Sequence, residues 1–119
     1  MKKILIADDA GFMRMRIKNM LNNAGYTDIY EAEDGQQALN IFIEKSPDLV
    51  FLDIIMPNMD GVEALQAILA HDPKAAVIMM SVLGDEGCEV DTIQLGAKAF
   101  LLKPMNEASL LPVVSNILG

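Results

Sequence analysis

Residues 48–61 read DLVFLDIIMPNMDG, an apolar run that opens and closes on aspartate and then passes into a stretch rich in Pro, Asn and Gly. Four consecutive apolar residues, Leu49 to Leu52, without polar alternation mark a strand buried on both faces, the habit of a parallel sheet covered by helices. The carboxylate of Asp53 at the last step of such a strand is costly to keep ionised unless something nearby holds it there.

On either side of this run, short β-rich apolar segments alternate with stretches whose apolar residues recur at helical spacing, which predicts βα units in sequence. KILIA is the first strand, and Met13, Ile17, Met20, Leu21 and Ala24 then line one face of a helix that Gly25 stops. DIYEA is the second strand, followed by a helix from about Gln36 with Ala38, Leu39 and Phe42 inward. After the third strand, Asp60 with Glu63 three residues on has the form of a capping box, and Ala64, Leu65, Ile68 and Leu69 supply the buried stripe. AVIMMS is the fourth strand and AFLLK the fifth. Between them GDEGCEVDTIQLG is a poor helix former, since Gly84 and Gly87 each cost about 1 kcal/mol relative to Ala. The last helix, about 106–118, contains Pro112 and is expected to kink or shorten there.

A chain of 119 residues, 52% hydrophobic, suffices for one core and not for two, so a single domain spanning 1–119 without an output module is expected. No apolar run approaches the roughly 20 residues of a membrane span, and the N-terminus turns acidic too early for a signal peptide, so a cytoplasmic protein is expected. Cys88 is the only cysteine and reads as a small half-buried residue. A formal charge of −8 argues against nucleic acid and anionic membrane as partners and favours cationic metals and basic protein surfaces.

In an open parallel α/β sheet, functional groups collect beyond the carboxyl ends of the strands. Strand one ends there in Asp8 and Asp9, strand three in Asp53, strand four in Ser81 and strand five in Lys103. Each alone has a plain explanation, because Asp and Ser often cap the helix that follows. Together they make a cluster. Two carboxylates about 5 Å apart repel by roughly 3 kcal/mol at an effective dielectric of 20, so three of them call for a hard cation. Mg²⁺ suits them, because it takes oxygen ligands and commonly joins one or two carboxylates to a phosphoryl group.

The set ADD at 7–9, DIIMPNMDG at 53–61, Ser81 after an apolar strand and GAKAFLLKP at 96–104 resembles the receiver domain of bacterial two-component response regulators, in the style of the stand-alone, CheY-like chemotaxis regulators. The resemblance spans essentially the whole chain. It implies a flavodoxin-like (βα)5 fold, a doubly wound five-stranded parallel sheet of order 2-1-3-4-5 with helices on both faces.

It also implies that Asp53 is the phosphoacceptor, loaded by a CheA-like histidine kinase. Asp9, Asp53 and the backbone carbonyl of Ile55 would bind Mg²⁺ directly and Asp8 through water, with Mn²⁺ able to substitute. Lys103 would pair with a phosphoryl oxygen, its bond to Pro104 being cis, while Ser81 and Phe100 would form the switch pair. The signalling surface would be the fourth helix, fifth strand and fifth helix, met by a target such as a flagellar motor switch component. A phosphatase partner and a monomeric state are further expectations.

Four positions depart from the common pattern. Val82 is bulkier than the Ala or Gly usual there and is expected to narrow access to Asp53. Ile55 and Leu83 flank the phosphoryl position and are apolar, so nothing orients an attacking water and slow hydrolysis is expected. Phe100 lacks a hydroxyl, leaving packing to decide its rotamer.

His71 reads as a surface turn residue, Arg14 and Arg16 as solvated charges, most methionines as core filler, and Met56 as a mobile loop residue. An aspartate-nucleophile phosphatase would want a second acid where Ile55 stands. A phosphorelay intermediate, or a pseudo-receiver that binds proteins without switching, is the remaining alternative.

Overall fold

Strict β/α alternation in the sequence becomes five strands and five helices in turn: β1 Lys3–Ala7, α1 Gly11–Asn23, β2 Asp28–Ala32, α2 Gly35–Lys45, β3 Leu49–Asp53, α3 Gly61–His71, β4 Val77–Ser81, α4 Glu86–Leu95, β5 Ala99–Leu102 and α5 Glu107–Leu118. A computed structural model of the chain describes residues 1–82 and 86–119, with residues 86–88 described by their backbone only. The strands form one sheet of order β2-β1-β3-β4-β5, every neighbouring pair parallel. This is the flavodoxin-like doubly wound fold that the resemblance implies.

Strand parity divides the core into two layers, because successive side chains point to opposite faces. Ile4, Ile6, Leu49, Phe51, Ile78 and Met80 face one way and pack with Ile17, Met20 and Leu21 of α1 and Leu110 and Val114 of α5. Leu5, Ala7, Val50, Leu52, Val77 and Met79 face the other way and pack with Ala38 and Phe42 of α2 and Ala64, Leu65 and Ile68 of α3. All five residues of β3 are buried, as its unbroken apolar run demands. The winding reverses between β1 and β3, and that reversal opens a crevice at the carboxyl edge between them.

Helix boundaries follow local chemistry. Gly25, at φ 96°, takes the left-handed turn after α1, and the Tyr26 N–H closes back on the Leu21 carbonyl at 2.9 Å. Ala24 therefore lies beyond the helix as its C-cap and is exposed, where the periodicity places it on the buried face. Asp60 caps α3 by accepting from the Glu63 N–H at 2.9 Å. A reciprocal capping box forms at α5, where Asn106 and Ser109 each accept from the other's backbone N–H. Despite its glycine, the segment 86–95 is helical throughout, docked beside α3 and β5, whereas Gly84 lies outside the described residues.

Pro112 does not shorten α5, which runs unbroken from Glu107 to Leu118. The proline is exposed, so its ring meets no core, and burial of Leu110 and Val114 on either side holds the segment helical. The missing backbone donor remains a cost. Pro112→Ala is expected to raise the unfolding free energy by about 2 kcal/mol in urea denaturation, since proline's interior-helix penalty is only partly offset by its stiffening of the unfolded chain. An unchanged midpoint would contradict that reading of α5.

Candidate functional site

At the carboxyl edge of β1 the chain leaves the sheet at Asp8, which is fully buried. Its N–H donates to the Ala32 carbonyl at 3.1 Å, keeping it in line with β2. Its Oδ1 accepts from the Ala10 N–H at 2.9 Å, which fixes the rotamer and turns Oδ2 toward the crevice. Asp53, the last residue of β3, is 7% exposed and opens into the same crevice. Lys103 follows β5, anchored by its N–H to the Ser81 carbonyl at 2.7 Å, and the peptide bond to Pro104 is cis. Its ammonium reaches back across the edge to lie 2.6 Å from Asp8 Oδ2 and 3.1 Å from Asp53 Oδ2.

Asp9 is exposed and completes the group, since one carboxylate oxygen from each of Asp8, Asp9 and Asp53 lies within 4.8 Å of the others. Burial first, and the neighbouring Asp8 charge second, push the Asp53 carboxyl up to about 6, with Lys103 pulling the other way. Burial alone would lower the Lys103 ammonium, but its contacts with Asp8 and Asp53 together hold it above the ordinary lysine value.

These residues fit Mg²⁺. Three carboxylates and one ammonium leave a net negative charge, and the buried Asp8 Oδ2 has the Lys103 ammonium as its single partner among the described residues. All the converging donors are hard oxygens, with no imidazole or thiolate among the grouped ligands.

Ser81, at the end of β4, is buried, and Phe100 on β5 is half-buried against the core layer that holds Val77 and Met79. Ile55, two residues after Asp53, and Val82, directly after Ser81, are 68% and 54% exposed, so neither side chain is committed to the core. Leu83 lies outside the described residues, as does the side chain of Cys88.

Three expectations need correction. Met56 is buried in the layer formed with α2 and α3 instead of lying free in its loop. His71 is the last residue of α3, not a turn residue, and its ring meets Phe42 edge-on at 6.1 Å between centroids. Arg14 is not a solvated charge: its side chain is 14% exposed, with Nη1 donating to the Asp8 carbonyl at 2.6 Å and Nε to Glu31 at 3.1 Å. Arg16 is exposed, as expected of a solvated charge, and also donates to the Met105 carbonyl at 3.1 Å.

Two further contributors escape a sequence reading. Gly61 packs so closely on β3 that a Cβ there would overlap the Asp53 carbonyl oxygen, and its N–H donates to Ile54 O at 2.7 Å. Asp34 accepts from Gln37 N–H at the start of α2 and from Asn58 Nδ2, both at 2.8 Å, and these bonds lower its carboxyl below the usual range. The loop that follows Asp53 is thereby tied to the β2–α2 turn. A glycine directly after a capping aspartate was the available signal for the first; the second depends on a contact between distant loops.

The response regulator receiver domain family matches residues 4–115. The chemotaxis protein CheY of Listeria monocytogenes is 51% identical over 104 residues, 87% of each chain. That of Bacillus subtilis is 46% identical over 117 residues, 98% of each. Among solved structures, the CheX–CheY–BeF3–Mg complex of Borrelia burgdorferi superposes with a TM-score of 0.93 at 35% identity, covering 99% of this chain and 90% of that one.

Because the folded state binds the Asp53 proton more tightly than the unfolded chain does, the stability tied to that carboxyl is present in acid and lost as pH rises through about 6. In metal-free protein, Asp53→Asn is expected to be more stable than wild type by about 1–2 kcal/mol at pH 7.5, after discounting for solvent, and equal to it near pH 4. Chemical denaturation of both proteins across that range checks the sign. A variant less stable at pH 7.5 would contradict it.

Proposed function

The chain belongs to the response regulator receiver family, and on that premise we propose that it is a phosphorylation-driven switch in chemotaxis with Asp53 as phosphoacceptor. The observation that carries this reading is the Lys103 ammonium set between Asp8 and Asp53, with Asp9 completing three converging carboxylates. It is a signalling protein and not a classical enzyme, its chemistry being confined to its own loading and a slow self-dephosphorylation.

Above pH 6 Asp53 is ionised and able to attack. One of its oxygens forms the new P–O bond as the P–N bond of the kinase's phosphohistidine breaks, and the imidazole departs with the electron pair. Asp9, Asp53 and the Ile55 carbonyl would hold Mg²⁺ directly and Asp8 through water. When bound, the ion neutralises charge on the phosphoryl oxygens, as Mn²⁺ also would. Lys103 keeps Asp8 and passes its second contact from Asp53 Oδ2 to a phosphoryl oxygen, so the site gains an anion without losing its ammonium.

The added phosphoryl charge favours whichever conformation supplies it with donors. Ser81 is buried at the end of the neighbouring strand, and we assign its hydroxyl as the group that turns toward the phosphoryl oxygens. Phe100, half-buried and without a hydroxyl, then changes rotamer on packing grounds alone. The output surface is α4, β5 and α5, where Val90, Ile93, Leu95 and Leu102 are exposed and ready for a protein target such as a flagellar motor switch component. A CheA-like histidine kinase is the donor. The Borrelia burgdorferi relative is a complex with CheX and Mg, and by that likeness an accessory partner, such as a phosphatase, belongs to this system too.

Incubation with acetyl phosphate and Mg²⁺ is expected to add one phosphoryl group by intact mass, and to add none to Asp53→Ala or in EDTA. No adduct on the wild type, with a phosphorylated kinase tried as donor, would overturn the assignment. Val82→Ala is expected to speed loading in the same assay, since Val82 is exposed and directly follows Ser81 at the carboxyl edge of β4, the strand beside Asp53; an unchanged rate would remove the access role.

Hydrolysis of the adduct is expected to be slow, because the exposed Ile55 side chain has no group to orient a water. Ile55→Asn should shorten the phosphoryl half-life several-fold, well below the roughly 10²-fold that a positioned general base supplies, because an amide only orients the water. An unaltered decay would assign no part in hydrolysis to this position.

A further inference from the structure

Asp8 has four polar groups to satisfy, and three are held by the sheet, the turn or the site. Its N–H goes to the Ala32 carbonyl, its Oδ1 takes the Ala10 N–H, and its Oδ2 faces the Lys103 ammonium. The fourth, its main-chain carbonyl, stands where the chain leaves the sheet. Arg14, one turn into α1, takes that carbonyl at 2.6 Å through Nη1. The same guanidinium is gripped from the far side by Glu31, the residue before the end of β2, at 3.1 Å, and by Glu33 at 3.9 Å. Apart from the backbone bonds that the Met13 and Arg14 N–H groups make to the Ala10 carbonyl, Arg14 is the tie from the helix side among the described residues, because the N-cap is Ala10, which makes no side-chain cap.

We propose that Arg14 is a positioning residue of the acidic site, which through the Asp8 carbonyl sets the orientation in which the β1–α1 turn presents Asp8 and Asp9 to the cation. This rests on reading that turn as part of the Mg²⁺ site. The planar fork holds Nη1 to the carbonyl and Nε to the carboxylate in one fixed geometry, which a point-charge ammonium on a flexible stem does not reproduce, so lysine does not replace it. Glu31 completes the strut by fixing the guanidinium plane, and so ties the site to β2, an element without a residue in the cluster.

Electrostatics and positioning predict opposite signs here. A guanidinium bonded from α1 to the turn that carries Asp8 and Asp9 repels a dication, so if its charge were all that mattered, removing it would tighten Mg²⁺ binding. If it orients the ligands, removing it weakens binding, as loss of outer support around metal sites commonly does.

The test is calorimetric titration of Mg²⁺ into wild type, Arg14→Gln, Arg14→Lys and Glu31→Gln, well below their unfolding midpoints, with melting in EDTA and acetyl phosphate loading alongside. Both Arg14 variants are expected to bind Mg²⁺ roughly tenfold more weakly, and Glu31→Gln about two- to threefold more weakly. Loading should slow at limiting Mg²⁺ and recover at saturation. Unchanged or tighter binding in the Arg14 variants, a lowered melting point as the sole effect, or full rescue by lysine would overturn the proposal. Should neither Arg14 variant fold, Glu31→Gln decides alone, its unaltered affinity counting against the strut. A wild type that binds no Mg²⁺ and takes no phosphoryl group would instead overturn the reading of the site itself.

Discussion

One ammonium group lies between two buried carboxylates, and the site depends on that contact. Lys103 reaches from the end of β5 to Asp8 at 2.6 Å and Asp53 at 3.1 Å, spanning the carboxyl edges of β1 and β3. Without a cation there, two like charges would share a crevice in which Asp8 is fully buried and Asp53 nearly so. Removing one partner from such an arrangement leaves the others uncompensated, so these three side chains form a unit rather than a set of independent contacts. The sheet order makes the unit possible: β1 and β3 are neighbours and the winding reverses between them, so the carboxyl ends of the two strands meet at a gap that helices do not fill.

That arrangement is held short of neutrality, which suits a switch. One ammonium does not balance three carboxylates, and burial first, with the Asp8 charge second, raises Asp53 to about 6, still ionised at neutral pH but ready to accept a cation or a phosphoryl group with its metal. The scaffold around it is stiff where the chemistry needs precision. Gly61 lies against the Asp53 backbone, Asn58 ties the following loop to Asp34, and Arg14 grips Asp8. By contrast Ile55 and Val82 stand exposed at the rim, where substitution can tune rates without disturbing the unit beneath.

Most of the fold was legible because each strand announces itself as a short apolar run bounded by polar residues. KILIA and DIYEA coincide with β1 and β2, and the unbroken run Leu49 to Leu52 foretold helices on both faces. Asp8, Asp9, Asp53, Ser81 and Lys103 were legible for a related reason: a polar residue at the end of a buried strand can go only to one edge of a parallel sheet. What stayed hidden depends on contacts distant in sequence. Arg14 sits on the same helical stripe as Ile17 and Leu21, yet its partners at Asp8 and Glu31 belong to other elements. Met56 follows the site in what looks like a free loop, but that loop folds back against α2 and α3. Pro112 misled because local propensity was outweighed by the burial of Leu110 and Val114. The Asn106–Ser109 box lacks the usual acidic partner and so carries no familiar signature.

The claim on which the rest stands is that burial and Asp8 hold Asp53 above the ordinary carboxylate range until a cation relieves it. Direct observation of the Asp53 carboxyl carbon by ¹³C NMR, titrated from pH 3 to 9 in EDTA and again in Mg²⁺, measures this. A midpoint near 6 is expected without metal, falling below the usual carboxylate range when Mg²⁺ is present. An ordinary midpoint of about 3.9, the same in both titrations, would contradict it.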